Sequence, residues 1–186
     1  MPTTAITPGT SADGNTGSGG ASWVDADNIN NSTPGTEATI TIPPGDQSRL
    51  LRMLSPDLSA IPDTATIGGI EVIVSAGLNS GLDRLYLQKS GTNVGSNKAG
   101  EFAPSIGSTI KGIAAYAYGG ASELWGTTWT PAQLKSGFSV AIGIPNLNPK
   151  FGASRSAAFV RVRVNYTEAP ASSGNPNTVG NTRRRR

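Results

Sequence analysis

The chain has 186 residues, of which 36% are hydrophobic and 15% charged, with 24 Gly and 13 Pro. That length accommodates one domain with a sizeable core and leaves no comfortable room for a second of ordinary size. Cys and His are both absent, which removes disulfides, thiolate metal sites, the commonest general base and the commonest metal ligand together, and leaves carboxylate-only catalysis possible in principle.

The formal charge of +3 is a property of one end. Four of the 15 basic residues are Arg183 to Arg186, and without them eleven basic side chains face twelve acidic ones, a body of −1. A nucleic-acid-binding body is therefore not expected. With few charges, the polar surface must consist of Ser, Thr, Asn and Gly. No apolar run approaches the roughly 18 residues of a membrane helix, and the first residues lack the basic start and apolar stretch of a signal peptide. A role outside a cell would follow release by lysis.

In chain order, residues 1–21 contain, after the initial Met1, a single large apolar side chain, Ile6. They read as an extended polar arm that cannot fold alone. Ser22-Trp23-Val24 opens the ordered body, and a turn-rich loop runs from Asn28 to Gly35. Ala38 to Ile42 alternates with the two-residue period of a half-buried strand, ended by Pro43-Pro44-Gly45. Arg49 to Leu54 is a second strand of ambiguous period, followed by a long connection between Pro56 and Pro62 with room for one helical turn.

Ala65 to Ala76 is the clearest strand. Ile70, Val72 and Val74 fall on one face and Glu71, Ile73 and Ser75 on the other, while Gly68-Gly69 can seat a bulge or a close backbone approach. Leu78 to Gly81 turns the chain into a return strand, Leu82 to Lys89, with Leu85 and Leu87 inward. Ser90-Gly91-Thr92-Asn93 signals a tight hairpin and Val94 starts another short strand. After a loop from Asn97 to Thr109, Ile113 to Tyr118 is a strand whose two Tyr share a face.

Gly119 to Ile144 contains two of the three Trp. Within it, Thr130 to Lys135 is a short helix with Thr130 as N-cap and Pro131 in the first helical position, and Gly137 is placed to end it. Phe138 to Ile144 then alternates bulky and small residues. The last strand, Ala157 to Tyr166, has Val160, Val162, Val164 and Tyr166 on one face. Phe159, Arg161, Arg163 and Asn165 form the other, read as wet or covered by a partner. From Thr167 the composition returns to Pro, Ser, Asn and Gly. About eight strands and one short helix at this spacing predict an all-β, jelly-roll-like antiparallel sandwich. The expected organisation is an arm over 1–21, a sandwich over 22–168 and a second arm over 169–186 ending in the arginine run.

Several pieces resemble, in this order, a β-sandwich domain of tailed-bacteriophage structural proteins. They are Ser22-Trp23, Ala65 to Val72, Tyr118-Gly119-Gly120, Glu123-Leu124-Trp125-Gly126 with Thr128-Trp129-Thr130, and the closing Val160 to Thr167. The Leu-Trp-Gly-x-x-Trp-Thr segment is the most specific of them, and the likeness covers about residues 22 to 168. It implies a non-enzymatic virion component, assembled in the host cytoplasm and released by lysis.

Capsid decoration or cementing is the leading expectation, with the major capsid protein as partner and the arms as the means of attachment. A neck, collar or tail-associated position is the alternative within that class. Such a protein is expected to be a homodimer or homotrimer whose many weak contacts add up over a lattice. No catalytic residue, cofactor or metal is expected.

Three features permit sharper readings. Tyr116, Tyr118, Trp125 and Trp129 could form a sugar-stacking platform for a host surface glycan, making the protein a carbohydrate-binding adhesion module. The other reading is that they pin the crossover onto the sandwich, each Trp burying roughly 150–250 Å2. Asp25, Asp27, Asn28 and Asn30 could offer oxygens to Ca2+, but their spacing misses the EF-hand loop, and capping or turn roles are expected. Arg183, Arg184, Arg185 and Arg186 read either as a solvated tail or as donors docking on an acidic surface of a neighbouring subunit, with packaged DNA a third partner.

Overall fold

The computed structural model describes residues 2–17, 19–31, 36–76, 82–100, 102–103, 109–110, 113–145 and 150–170. The expected turn at Leu78 to Gly81 and the terminal Arg183 to Arg186 lie outside the described residues, as does most of the expected C-terminal arm.

In chain order the elements are β1 (Thr7–Pro8), β2 (Ser11–Thr16), a 3-10 helix (Ala26–Asn30), β3 (Ala38–Ile42), β4 (Leu50–Leu54), β5 (Thr66–Ala76) and β6 (Arg84–Lys89). They continue with β7 (Thr92–Val94), β8 (Phe102–Ala103), β9 (Thr109–Ile110), β10 (Ile113–Gly119), α1 (Pro131–Lys135), β11 (Phe138–Gly143) and β12 (Ala153–Thr167). One sheet runs β1-β12-β5-β10-β8, with β3 also on β12 and β9 on β10, and the other runs β2-β4-β11-β6-β7. Every pairing between these strands is antiparallel. The expected all-β sandwich is what the chain forms. Among the described residues, no helix is long and apolar enough to cross a membrane.

The two-residue period accounts for how the sheets meet. Ile70, Val72 and Val74 of β5 and Val160, Val162 and Val164 of β12 are buried in one cluster with Leu51 and Met53 of β4, Leu85 and Leu87 of β6, and Val140 and Ile142 of β11. Each such side chain contributes about 1.5–3 kcal/mol on leaving water. The ambiguous second strand resolves the same way, Leu51 and Met53 pointing inward while Leu50, Arg52 and Leu54 are half-buried on the outer side.

Local chemistry places most boundaries. Ser90 and Gly91, with φ of 49° and 80°, form the two-residue turn between Lys89 and Thr92, the primed geometry that matches strand twist. At α1 the Thr130 hydroxyl accepts from the Gln133 N–H and the Gln133 side chain accepts from the Thr130 N–H, a complete capping box. The connection expected to contain a helical turn instead makes two tight turns, Ile61 N–H to the Leu58 carbonyl and Ala65 N–H to the Pro62 carbonyl. These turns drive Leu58 and Ile61 into the core.

Gly68-Gly69 performs both of the jobs open to it. The β5–β12 register shifts between Asn165–Gly69 and Tyr166–Ile67, so Gly68 is the extra residue of a bulge. A Cβ on Gly69 would collide with the Gly120 carbonyl and the Ala121 backbone.

Candidate interaction surface

The segment that carries the resemblance is built into the core. Trp125 is 0% exposed, and its indole N–H donates to the Ile70 carbonyl at 2.9 Å. Its backbone is left-handed, φ 63°, as is that of Gly126, φ 72°, so the two residues make the tight turn closed by the Thr127 N–H on the Leu124 carbonyl. A non-glycine residue in that region costs about 1 kcal/mol and persists only where its surroundings over-determine it. Here Glu123 accepts from the Trp125 N–H at 2.6 Å and pairs with Lys98 at 3.3 Å, and the Trp125 carbonyl accepts from Ser96.

Trp129 is 6% exposed. It donates to the Leu124 carbonyl, meets the Phe138 ring edge-on with centroids 5.4 Å apart, and lies under the Lys89 ammonium. Tyr118 is buried and Tyr116 half-buried against the same core. Burial first, and then the neighbouring Tyr116, push the Tyr118 phenol up to about 12. No coplanar exposed face is left among these four rings, so the geometry follows the pinning role and not the glycan platform.

The N-terminal stretch is extended, as its composition leads one to expect, but its backbone is paired to the domain itself. Tyr166 N–H donates to the Pro2 carbonyl, and Thr4 N–H to Val164. Thr3 lies opposite Asn165, and Thr7 and Pro8 lie opposite Val162 and Arg161. The chain then crosses to the other sheet at Gly9, where a Cβ would strike Met53, Asn30 and the Leu54 carbonyl. Beyond the crossing, Ser11, Ala12 and Asp13 pair with Leu54, Met53 and Arg52. One polar strap thus covers the edge of β12 in one sheet and of β4 in the other. Edge strands carry unpaired N–H and C=O groups, and covering them is how soluble sheets avoid uncontrolled pairing.

Side chains tie the strap down at its second half. Asp13 accepts from the Thr16 hydroxyl at 2.7 Å and the Asn15 N–H at 2.8 Å, and forms an ion pair with Arg52. Led by the Thr16 hydrogen bond, with Asn15 and Arg52 adding to it against some burial, this brings the Asp13 carboxyl down to about 2. Asp27 accepts from the Ala12 N–H at 2.6 Å. Asn28 reaches the Glu37 carbonyl, and Ile29 is fully buried. Of the four residues considered for Ca2+, Asp27 and Asn28 thus spend their side chains on the strap and on the Glu37 carbonyl, while Asn30 Oδ1 is buried without a hydrogen-bond partner. Among the described residues no three His, Cys, Asp or Glu side chains converge on a common point.

The outer face of β5 and β12, expected to be wet or partner-covered, is largely closed by its own residues. Phe159 and Ile73 are 2% and 4% exposed. They cluster with Ala115 and Ala158, with the Arg161 guanidinium 4.5 Å over the Phe159 ring and Arg163 paired with Glu71 at 3.1 Å. On the opposite sheet, a Cβ on Gly143 would meet the Arg84 guanidinium, which also donates to the Ser48 carbonyl. Ser139, Gln88 and Asn93 form a hydrogen-bonded row.

An open groove of about 360 Å3 between β3 and β12 is lined by Thr39, Thr41, Ser154 and Ser156, with Val24 and Arg155 beside them. None of the described residues that line it is a carboxylate. Among the described residues, the outward surface is hydroxyl- and amide-rich, with two strapped edges and exposed apolar side chains such as Val24 and Phe151.

Composition pointed to an arm without showing what it would touch. The available signal was the Ser11 to Thr16 stretch, whose Asp13-Gly14-Asn15 reads as a turn and conceals a bulged strand. No family model, curated protein or solved structure matches this chain.

Proposed function

We propose that the chain is a non-enzymatic structural protein of a tailed-bacteriophage particle that binds a repeating protein lattice, in the first place as a decoration or cement protein on the capsid. The observation that supports this reading most is the role of Leu124 to Thr130. The residues that carry the resemblance are the ones that clamp the crossover to β5 and β11, so the likeness is one of architecture and not of a surface motif.

The strand order β3-β12-β5-β10 over β4-β11-β6-β7 supports a jelly-roll winding, two Greek keys wrapped together. The low charge and the hydroxyl-rich surface suit a module whose contacts are many and individually weak, gaining strength by multivalency. In this reading the arginine run supplies bidentate donors for an acidic patch of a neighbouring subunit. The N-terminal stretch contributes to attachment only when it leaves its own sheets.

Gold-conjugated antiserum against the purified chain, applied to particles banded from a lysate of the producing culture, tests the proposal. Regular labelling over the head supports decoration. Labelling confined to the neck or tail overturns the capsid placement while keeping the virion role. Recovery of the protein only in the soluble lysate, with unlabelled particles, overturns the proposal.

A further inference from the structure

We infer that residues 2–16 are an exchangeable strap, able to leave the β12 and β4 edges of their own chain and occupy the same two edges of a second copy. Three observations carry this, and none depends on the particle in which the protein serves.

The first is what holds the strap. Its attachments are hydrogen bonds and polar contacts: Tyr166 to Pro2, Thr4 to Val164, Thr10 to Leu54, a buried bond from the Val164 N–H to the Thr4 hydroxyl, Ala12 to Asp27, and Asp13 with Arg52. Its one large apolar side chain, Ile6, is 38% exposed. Undocking therefore withdraws no large side chain from the core, and each of these bonds is remade identically on a second copy. Exchange of an identical element is a low-cost route to an oligomer for that reason.

The second is the joint. Gly17, Gly19 and Gly20 have φ of 98°, 78° and 84°, a left-handed path that only glycine follows without strain. At Gly17 and Gly19 a Cβ would meet nothing within 4 Å, so these two glycines answer to backbone direction and not to packing. They are what folds the strap back onto its own body. Opened to an extended form, the four residues 17–20 reach roughly 13 Å, enough for a closely apposed partner and no more.

The third is the geometry of the acceptor. Once the strap leaves, β12 beyond Arg161 and β4 present unpaired backbone edges, which a second chain's strap fits in register. The body beyond the joint stays anchored without it, through Trp23 to the Arg49 carbonyl at 3.0 Å and through Ala21 with Gln47 and Arg49.

The chain has no cysteine, which makes the test free of background. Thr3 and Asn165 are opposed between two flanking hydrogen bonds, the closer type of antiparallel pair and within disulfide reach. Ser11 and Leu54 form a second opposed pair on the other sheet. Chains carrying Thr3→Cys alone are mixed at high concentration with chains carrying Asn165→Cys alone, oxidised, and run without reductant, and Ser11→Cys is mixed with Leu54→Cys in the same way. Exchange predicts a disulfide-linked heterodimer in these cognate mixtures, in several-fold excess over the non-cognate mixture of Thr3→Cys with Leu54→Cys. It also predicts a rise in the dimer fraction by light scattering when Gly17→Ala and Gly19→Ala are combined. If chains carrying Thr3→Cys with Asn165→Cys, or Ser11→Cys with Leu54→Cys, close only within one chain while the cognate mixtures of single variants stay monomeric, or if cognate and non-cognate mixtures cross-link equally, the inference is overturned.

Discussion

Replacing Trp125 tests whether the crossover is a structural clamp. Trp125→Phe keeps an aromatic ring in the site but loses the N–H that reaches Ile70, about 1 kcal/mol for a buried bond, and part of the ring area, about 1 kcal/mol more. The sum is a loss of about 2 kcal/mol. Trp125→Ala empties a fully buried site and should cost about 3–5 kcal/mol.

Trp125→Gly is the sharper case. Glycine ordinarily costs about 0.5–1 kcal/mol against alanine through the freedom of the unfolded chain. At φ 63° it also relieves about 1 kcal/mol of left-handed strain, so the Gly variant should be no less stable than the Ala variant. Urea unfolding followed by far-UV circular dichroism, with fluorescence of Trp23 and Trp129 as a second probe, measures all three, an unchanged slope showing that the comparison is one of stability. A Phe variant within about 0.5 kcal/mol of the parent, below the net worth of one buried hydrogen bond, would refute the clamp. So would a Gly variant more than about 1 kcal/mol below the Ala variant, since that gap is the ordinary glycine penalty without strain relief.

Gly69→Ala should destabilise by more than about 2 kcal/mol, because its Cβ would meet backbone of residues 120 and 121 that cannot yield as a side chain can, and a thermal melt reads this directly. Thr130→Ala breaks the capping box and should cost about 1 kcal/mol, with Thr130→Ser restoring most of it in the same melt. The Asp13 carboxyl is held at about 2 against 3.8 in the unfolded chain, so its contribution is complete above pH 3.8 and disappears as pH falls through 2. With the side chain 35% exposed, solvent screening reduces that contribution to about 1 kcal/mol. Asp13→Asn should lower stability at neutral pH and flatten its dependence over that acid window, which denaturant titrations at stepped pH would show.

Much of the sandwich was legible because its signals are local. The alternation in β5, β11 and β12, the Ser90-Gly91 hairpin and the Thr130-Pro131 helix start each depend on residues within a few positions of one another. The face assignments of Ile70, Val72 and Val74 followed from the pleat alone. Arg49 to Leu54 was ambiguous because both its faces carry apolar residues, and only the opposing sheet decides that Leu51 and Met53 are the inward pair. The outer face of β12 was misjudged in part. A bulge at Ala158 and the arginine lying over Phe159 close that face, and neither is visible in a two-residue pattern.

The chain by itself determined which stretches are strands, where the helix begins, and that cysteine and histidine chemistry is excluded, since these depend on composition and short-range backbone preference. Tertiary structure decided whether the tryptophans are buried or displayed, and where the polar N-terminal stretch goes. Trp125 reaches a carbonyl 55 residues away, and Thr4 bonds to Val164 across 160 positions. Pairings at such separations are chosen by the free edges and holes that the assembled sheets present, and no local pattern encodes them.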